Sequence, residues 1–375
     1  MPSLGADMEA GTLVEWRIAP GSTVHRGDVV ALVETEKGII DVEAFEEGVV
    51  QSLIVAPGSR VPVGTPLALF EGDAIEAKVE VQSALAAAQP TRTAPQPALP
   101  DRGRRVSPAA RARAASVGVE LSSVKGSGPQ GVITLQDVEH AAAQKSAQPA
   151  AVEAARSALR SAIATSMSRS KREIPHYYLQ LAMDFSSAAA WLEQYNQARP
   201  VPERLLPAVL LIKATARAAA AKPGFNGHCG ANGFEPSAAV HVGVAIALRG
   251  GGLVAPAILD ADRKPLATIM RELQDLVGRV RGGHMRSSEI ASATLTVSSL
   301  GEEGADALYP IIHPPQVAIV GFGSVLERPW VVAGAVAVRP VLNLTLAADH
   351  RVSDGRQGAQ FLARIRDGLL HPEEL

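Results

Sequence analysis

Residues 11–34 read GTLVEWRIAPGSTVHRGDVVALVE, and residues 48–71 read GVVQSLIVAPGSRVPVGTPLALFE. Aligned without gaps, the two stretches share Gly11/Gly48, Ala19-Pro20-Gly21-Ser22/Ala56-Pro57-Gly58-Ser59, Val24/Val61, Gly27/Gly64, Ala31-Leu32/Ala68-Leu69 and Glu34/Glu71. Each copy alternates apolar and polar residues in short runs broken by Pro-Gly and Gly turns, the pattern of short β-strands. One copy is too small to bury a core, so the pair is predicted to pack as a β-sandwich with near-twofold symmetry. Between the copies lies Thr35-Glu36-Lys37-Gly38-Ile39-Ile40-Asp41. That spacing puts Lys37 at an exposed hairpin tip, where a modifying enzyme can find it.

The start MPSLGADMEAG, the run W-x-I-x-P-G-S-x-V-x-x-G-D and the segment E-T-E-K-G together resemble the lipoyl domain of the 2-oxo acid dehydrogenase complexes. The resemblance implies lipoate, held as an amide on Lys37. The family usually has Asp-Lys-Ala where this chain has Glu36-Lys37-Gly38. Biotinyl domains share the fold but flank their lysine with methionines, and none stands beside Lys37.

At 375 residues the chain has room for two or three domains. Aromatic residues are only 4% of it, so its cores must be built from Val, Leu, Ile and Ala. A net charge of −2 argues against a general nucleic-acid or membrane role. The single cysteine, Cys229, excludes an intrachain disulfide framework and fits a reducing compartment. Gly227-His228-Cys229-Gly230 offers only two metal ligands, so no metal site is expected. No apolar run reaches the roughly 20 residues that span a bilayer, and the start has neither secretory nor transit character. These absences lead to an expectation of a bacterial cytoplasmic protein.

After the sandwich (residues 1–72), residues 73–102 are rich in Ala, Pro and Gln without apolar periodicity, the composition of an extended tether. Residues 103–142 form a small island. Ser107-Pro108 reads as an N-cap followed by proline at the first helical position, with a helix over Ala109–Ser116. Gly126 to Gly131 make a tight loop, and Thr134 with Asp137 opens a second helix. The patterns S-P-A-x-R-x-x-A and G-x-G-x-x-G-x-I-x-x-x-D-V resemble the peripheral-subunit-binding domain of the same complexes. That resemblance implies partner contacts through Arg104, Arg105, Arg111 and Arg113. Val132 stands where the family usually has arginine. A second Ala/Gln-rich linker is expected over residues 143–155.

Residues 156–375 alternate helical and strand signals. Helices are predicted over Ala162–Lys171, Ala208–Ala221 and, with Ile269, Leu273 and Leu276 on one face, within 262–281; strands over Val240–Leu248, Thr294–Ser299, Val317–Phe322 and Val341–Ala347. Asp349-His350-Arg351-Val352-Ser353-Asp354-Gly355 follows the last strand and precedes a helix near Gln357. Strand ends and loops commonly carry catalytic groups, and a histidine there suits general base work near neutral pH. Arg351 and Asp354 are close enough in sequence to form an ion pair that stiffens the loop.

D-H-R-x-x-D-G is the active-site signature of the dihydrolipoamide acyltransferase catalytic domain, which resembles chloramphenicol acetyltransferase. Further family blocks appear in order: Ser168-Arg169-Ser170 with Ile174-Pro175-His176, Val242-Gly243-Val244-Ala245 with Gly252-Leu253-Val254-Ala255-Pro256, Thr296 to Gly301, and Pro314 to Ile319. The whole chain is thus similar to the acyltransferase component of the 2-oxo acid dehydrogenase complexes. The implied fold is multidomain: a β-sandwich lipoyl domain (a barrel-sandwich hybrid), a small helical binding domain and an α/β chloramphenicol-acetyltransferase-like domain.

The resemblance implies that an acyl group passes from S-acyl-dihydrolipoyl-Lys37 to coenzyme A. His350 is the implied base, and Ser298, or its neighbour Ser299, the hydroxyl that meets the oxyanion. Asp354 and Arg351 position the histidine loop. The family sets histidine and serine across a subunit boundary, so a homotrimer assembling into a larger core is implied. The implied partners are a 2-oxo acid decarboxylating enzyme (E1) and dihydrolipoamide dehydrogenase (E3). Acetyl groups from pyruvate or acetoin and branched-chain acyl groups all stay open. A non-catalytic lipoyl-bearing scaffold is the alternative, against which His350, Asp354 and Ser298 stand intact. His241, His313, Glu302 and Glu303 depart from the usual family residues, and His176 is expected to be structural.

Overall fold

The computed structural model describes residues 1, 10–35, 38–71, 106–117, 120–121, 124–248, 252–301 and 304–375. The chain divides into two compact units, residues 1–72 with 158–375, and residues 73–157.

The sequence repeat becomes a sandwich. Its strands are β1 (Ala10–Trp16), β2 (Thr23–Val24), β3 (Val29–Thr35), β4 (Gly38–Glu43), β5 (Gly48–Leu53), β6 (Arg60–Pro62) and β7 (Ala68–Glu71). One sheet runs β4-β3-β1-β6 and the other β2-β5-β7. The two copies exchange equivalent hydrogen bonds. Leu13 donates to Ser59 O and accepts from Gly58 N, while its counterpart Val50 donates to Ser22 O and accepts from Gly21 N. The paired glycines Gly21/Gly58 (φ 88° and 85°) and Gly27/Gly64 (φ 94° and 90°) hold the left-handed turns that only glycine adopts cheaply. Leu13 and Val50 then meet in a shared core with Val33 and Ile40.

The second unit contains α1 (Pro108–Val117) and the start of α2 (Leu135–Glu173). Ser107 Oγ accepts from Ala110 N, and Thr134 Oγ1 from Asp137 N, so both predicted caps are present. Ala110 and Ala114 pack on Val124, Ile133 and Val138. A Cβ on Gly128 would come within 2.8 Å of the Val132 carbonyl, which explains the glycine-rich loop. The expected break over 143–155 is absent. Its alanines and glutamines are good helix formers, and α2 runs through them to Glu173.

The rest of the first unit comprises β8 (His176–Asp184), α3 (Ser186–Gln197), α4 (Pro207–Ala221), β9 (Gly227–Gly230), β10 (Gly233–Pro236), β11 (Val242–Val244), β12 (Ile246–Ala247), β13 (Leu253–Val254), β14 (Ala257–Ile258), α5 (Leu266–Arg281), β15 (His284–Arg286), α6 (Ser287–Ala291), β16 (Leu295–Ser299), β17 (Ala318–Phe322), β18 (Leu326–Val332), β19 (Ala335–Asp349) and α7 (Gly355–Leu370). The main sheet runs β14-β11-β16-β17-β19-β18, with β8 also paired to β19. Helix α4 is apolar on nearly every side and is buried accordingly. Helices α5 and α7 bury one stripe each, Ile269, Leu273 and Leu276 on α5 and Phe361, Leu362 and Ile365 on α7. Phe361 stacks on Phe225 with centroids 4.4 Å apart. Buried Lys213 on α4 points its ammonium at the carbonyls of Asp262 and Lys264, both 2.7 Å away, and so ties down the loop before α5. Finally, β15 pairs in parallel with β4.

Candidate active site

The loop that carries His350 is built on a buried charge. Asp349 ends β19 with no solvent exposure. A carboxylate in that position needs partners, and Arg351 supplies them. Its backbone N–H donates at 2.9 Å, Nε at 3.0 Å and Nη2 at 2.7 Å. The same bonds push the Arg351 guanidinium pKa above its usual value. The Asp349 carbonyl accepts from Val352 N and Ser353 N, so the chain turns sharply after the strand. The sequence-based pairing of Arg351 with Asp354 is therefore incorrect. Asp354 is instead the N-cap of α7: its Oδ1 accepts from Gln357 N at 2.8 Å, and Gln357 Oε1 accepts from Asp354 N. A helix start has orphan N–H groups for a carboxylate to satisfy, whereas buried Asp349 has the greater need of the cation.

His350 itself is exposed. Its backbone N–H donates to Pro175 O at 3.0 Å. Tyr177 of β8 sets its ring edge-on to the imidazole, with centroids 5.3 Å apart and planes at 72°. The Tyr177 hydroxyl lies 2.8 Å from Ser353 Oγ, and burial raises its pKa. Gly358 leaves the space, because a Cβ there would come within 2.9 Å of that hydroxyl. Sequence reasoning missed Tyr177, Ser353 and the part played by Asp349. Only the abutment of Asp349 and Arg351 on the histidine was a visible signal.

Ser298 lies elsewhere. It stands on β16 and lines a mainly apolar cleft of about 660 Å³ with Ala245, Val254, Tyr309, His313 and Ile319. Beneath it, Thr296 Oγ1 donates to Gln316 Oε1 at 2.7 Å in the interior, which fixes the strand. Ser299 is exposed, and its hydroxyl accepts from Gly301 N. Of the two serines, Ser298 faces the cleft. The loop bearing Tyr309 crosses β17 at Gly321, where a Cβ would collide with the Leu308 carbonyl and the Thr345 hydroxyl.

His350 and Ser298 of one copy are far apart. The register places Ser298 opposite Gly321, and Gly321 opposite Thr345. His350 is five residues further along, roughly 16 Å down the strand and roughly 10 Å across two strand spacings. Within one chain the two candidate residues are therefore not brought together.

The other candidates sort as follows. Glu36, Lys37, Arg104, Arg105, Glu302 and Glu303 lie outside the described residues. The flanking pair Thr35 and Gly38 close the β3–β4 hairpin on either side of Glu36-Lys37. Arg111 and Arg113 are exposed on α1, with Arg113 3.9 Å from Glu139. His176 is structural. Its Nδ1 bonds Ile174 O at 2.9 Å and its Nε2 accepts from Ile312 N, and burial lowers its pKa. His241 Nδ1 accepts from Asp260 N and is likewise held low by burial. His228 bonds Ala293 O and, with His313, borders the cleft. No cluster of metal ligands occurs among the described residues.

Comparison with known proteins fits this geometry. Residues 149–375 match the family model for the catalytic domain of 2-oxoacid dehydrogenases acyltransferase, residues 1–70 that of biotin-requiring enzymes, and residues 104–139 that of the E3 binding domain. The lipoamide acyltransferase component of the branched-chain alpha-keto acid dehydrogenase complex of Pseudomonas aeruginosa is 31% identical over 100% of this chain and 98% of its own length. The dihydrolipoyllysine-residue acetyltransferase component of the pyruvate dehydrogenase complex of Rickettsia bellii is 30% identical over 99% and 97%. Among solved structures, the cubic core of the pyruvate dehydrogenase multienzyme complex and the dihydrolipoamide acetyltransferase of Azotobacter vinelandii each match with a TM-score of 0.55 and 30% identity, covering 58% of this chain and 90% of theirs. With its catalytic segment, its two smaller modules and its full-length relatives all in agreement, the chain belongs to the 2-oxoacid dehydrogenase acyltransferase family.

Proposed function

We propose that this chain transfers a short acyl group from S-acyl-dihydrolipoyl-Lys37 to coenzyme A, with His350 of one copy and Ser298 of another completing each site. The thiol pair of lipoate, when bound, supplies the acyl group as a thioester. Lys37 lies in sequence between Thr35 and Gly38, the last residue pair of β3 and β4, and an arm mounted there supports this reading. His350 removes the proton from the coenzyme A thiol, and the thiolate attacks the thioester carbonyl. The Ser298 hydroxyl donates to the oxygen as charge develops on it. The carbon–sulfur bond to the carrier breaks, and the imidazolium returns its proton to the departing thiolate.

The observation that supports this reading is the sequence interval from Ser298, on the cleft, to His350, on its ion-paired loop, and on to Asp354. The Azotobacter vinelandii acetyltransferase was studied for the role of one serine, one histidine and one asparagine in its catalytic mechanism. Its histidine lies 52 residues after the serine, and its asparagine four later, the intervals that separate Ser298, His350 and Asp354. A closed ring of copies, a homotrimer at least, unites the halves. The exposed valines 331, 336 and 338 on β18 and β19 offer apolar surface for such contacts. The binding module, with Arg104, Arg105, Arg111 and Arg113, recruits dihydrolipoamide dehydrogenase and the decarboxylating enzyme. Among the described residues no lysine or arginine lines the cleft, which supports acetyl or branched-chain acyl groups over one with a distal carboxylate. The lone cysteine and the bacterial relatives support a place in a bacterial cytoplasm.

Two measurements test the reading. Intact mass of protein from the native host is expected to show lipoate on Lys37. Acyl transfer from S-acyl-dihydrolipoamide to coenzyme A is expected to fall by about 10²–10⁴ in His350→Ala; equal rates refute the base and leave only a scaffold.

A further inference from the structure

Strand β4 is the outer strand of its sandwich sheet, and such an edge presents unpaired backbone groups. Here β15 fills it: His284 lies opposite Ile39, Met285 opposite Ile40 and Arg286 opposite Asp41. The central pair is fully interior, yet Ile40 belongs to the sandwich core and Met285 to the core of the large domain. Ile290 of α6 packs against both.

Polar groups lock the far end of the pairing. Glu43, only 9% exposed, closes β4. Its backbone N–H donates to the buried Ser287 Oγ at 3.3 Å, its Oε2 accepts from Ser288 Oγ, and its Oε1 lies 4.0 Å from Arg286 Nε. The serines are held in place because Glu289 in the same turn takes two bonds from Arg279, at 2.7 and 2.5 Å. At the near end, Ile39 is two residues from Lys37. The last two residues of α6, Ile290 and Ala291, line the cleft that contains Ser298.

We propose that segment 284–291 is a docking seat for the lipoyl-type domain of the same chain, with β15 adding to its open β4 edge and Glu43 latching onto Ser287 and Ser288. Strand addition supplies affinity through the main chain, and three residue pairs with one carboxylate latch make a seat that is readily left. The domain thus parks against the segment that leads into the cleft wall at Ile290 and Ala291, and departs to reach other enzymes. The inference rests on Lys37 being the carrier lysine.

The test uses the full-length lipoylated chain. In a Cys229→Ser background, His284→Cys with Ile39→Cys places thiols on facing residues, within disulfide reach of adjacent strands; His284→Cys with Glu47→Cys is the control pair. The first pair is expected to close an intrachain disulfide at least about tenfold faster than the control. Adding Glu43→Lys is expected to slow it by about tenfold, the worth of one hydrogen bond to a charged group. Without added cysteines, Glu43→Lys should speed hydrogen exchange of amides 40–43 by a similar factor and leave those of β1 and β3 unchanged. Equal closure by both pairs, or unchanged exchange at 40–43, overturns the seat. Transfer from free S-acyl-dihydrolipoamide, assayed in parallel, does not need the seat. Its absence alongside a positive cross-link refutes the proposed function alone.

Discussion

Replacing Asp349 by asparagine removes the charge on which the histidine loop is built. The carboxylate has no solvent exposure and takes three N–H donors from Arg351. Breaking a buried ion pair by removing one partner typically costs about 3–5 kcal/mol. The Arg351 side chain is 45% exposed and can return to water, so the expected loss is smaller, about 1.5–3 kcal/mol, the range for hydrogen bonds to charged groups. The effect on rate follows from adjacency. His350 is the next residue, tied by one backbone bond to Pro175 and by the Tyr177 ring. A shift of about 1 Å in such a group costs roughly 10²-fold in rate. The assay is kcat and KM for transfer from S-acyl-dihydrolipoamide to coenzyme A, with thermal melting and sedimentation on the same samples. Asp349→Asn is expected to lose kcat by roughly 10²-fold with the assembly intact. A kcat within about twofold of the parent refutes the claim that this ion pair positions the base.

Asp354→Asn should retain the helix cap and near-parental activity, because asparagine caps as well as aspartate, whereas Asp354→Ala should lose about 1 kcal/mol of stability by thermal or urea unfolding. Tyr177→Phe removes only the bond to Ser353 and should cost about 1 kcal/mol with kcat preserved; Tyr177→Ala takes away the wall beside His350 and should lower kcat at least about tenfold in the same assay. His176 and His241 both have pKa values lowered chiefly by burial. Above the unfolded histidine value of about 6.5 their contribution to stability is complete. As pH falls the unfolded chain takes up protons first, and that stability is lost as pH passes through the folded values. Melting temperature is therefore expected to drop between pH 7.5 and 5.5, and to drop less in a His176→Asn, His241→Asn double variant.

Where local chemistry dictates structure, the sequence was a sufficient guide. The repeated Pro-Gly and Gly turns demanded two equivalent halves, and the matching φ values of Gly21 and Gly58 show why. Ser107 and Thr134 were readable as caps because a cap is decided within four residues. Ile269, Leu273 and Leu276 announced α5 by their spacing. Long-range choices were less visible. Strand β8 alternates, with Tyr177, Leu179, Leu181 and Met183 on the covered face and Tyr178, Gln180 and Ala182 exposed, but it went unread because Tyr178 and Ala182 are themselves apolar enough to blur the period. Strand β19 begins at Ala335, well before the predicted Val341, because its first half is an exposed hairpin with β18 and carries Pro340. Arg351 had two acidic residues within reach, and sequence distance alone cannot tell a buried carboxylate from a helix cap. The pairing of β15 with β4 joins residues far apart in the chain, and no local pattern marks it. His350 and Ser298 were found through family motifs, which also implied that the two face each other across a subunit boundary, and the strand register sets them apart within one chain.

The central claim is that each site is shared between copies, and mixing two inactive variants tests it most directly. His350→Ala and Ser298→Ala are each expected to be nearly inactive alone. Co-assembled in equal amounts, they should recover about a quarter of parental transfer activity, since about one interface in four joins an intact histidine to an intact serine in a ring of identical contacts. Co-assembly verified by mass, with activity no higher than that of either variant alone, contradicts the account.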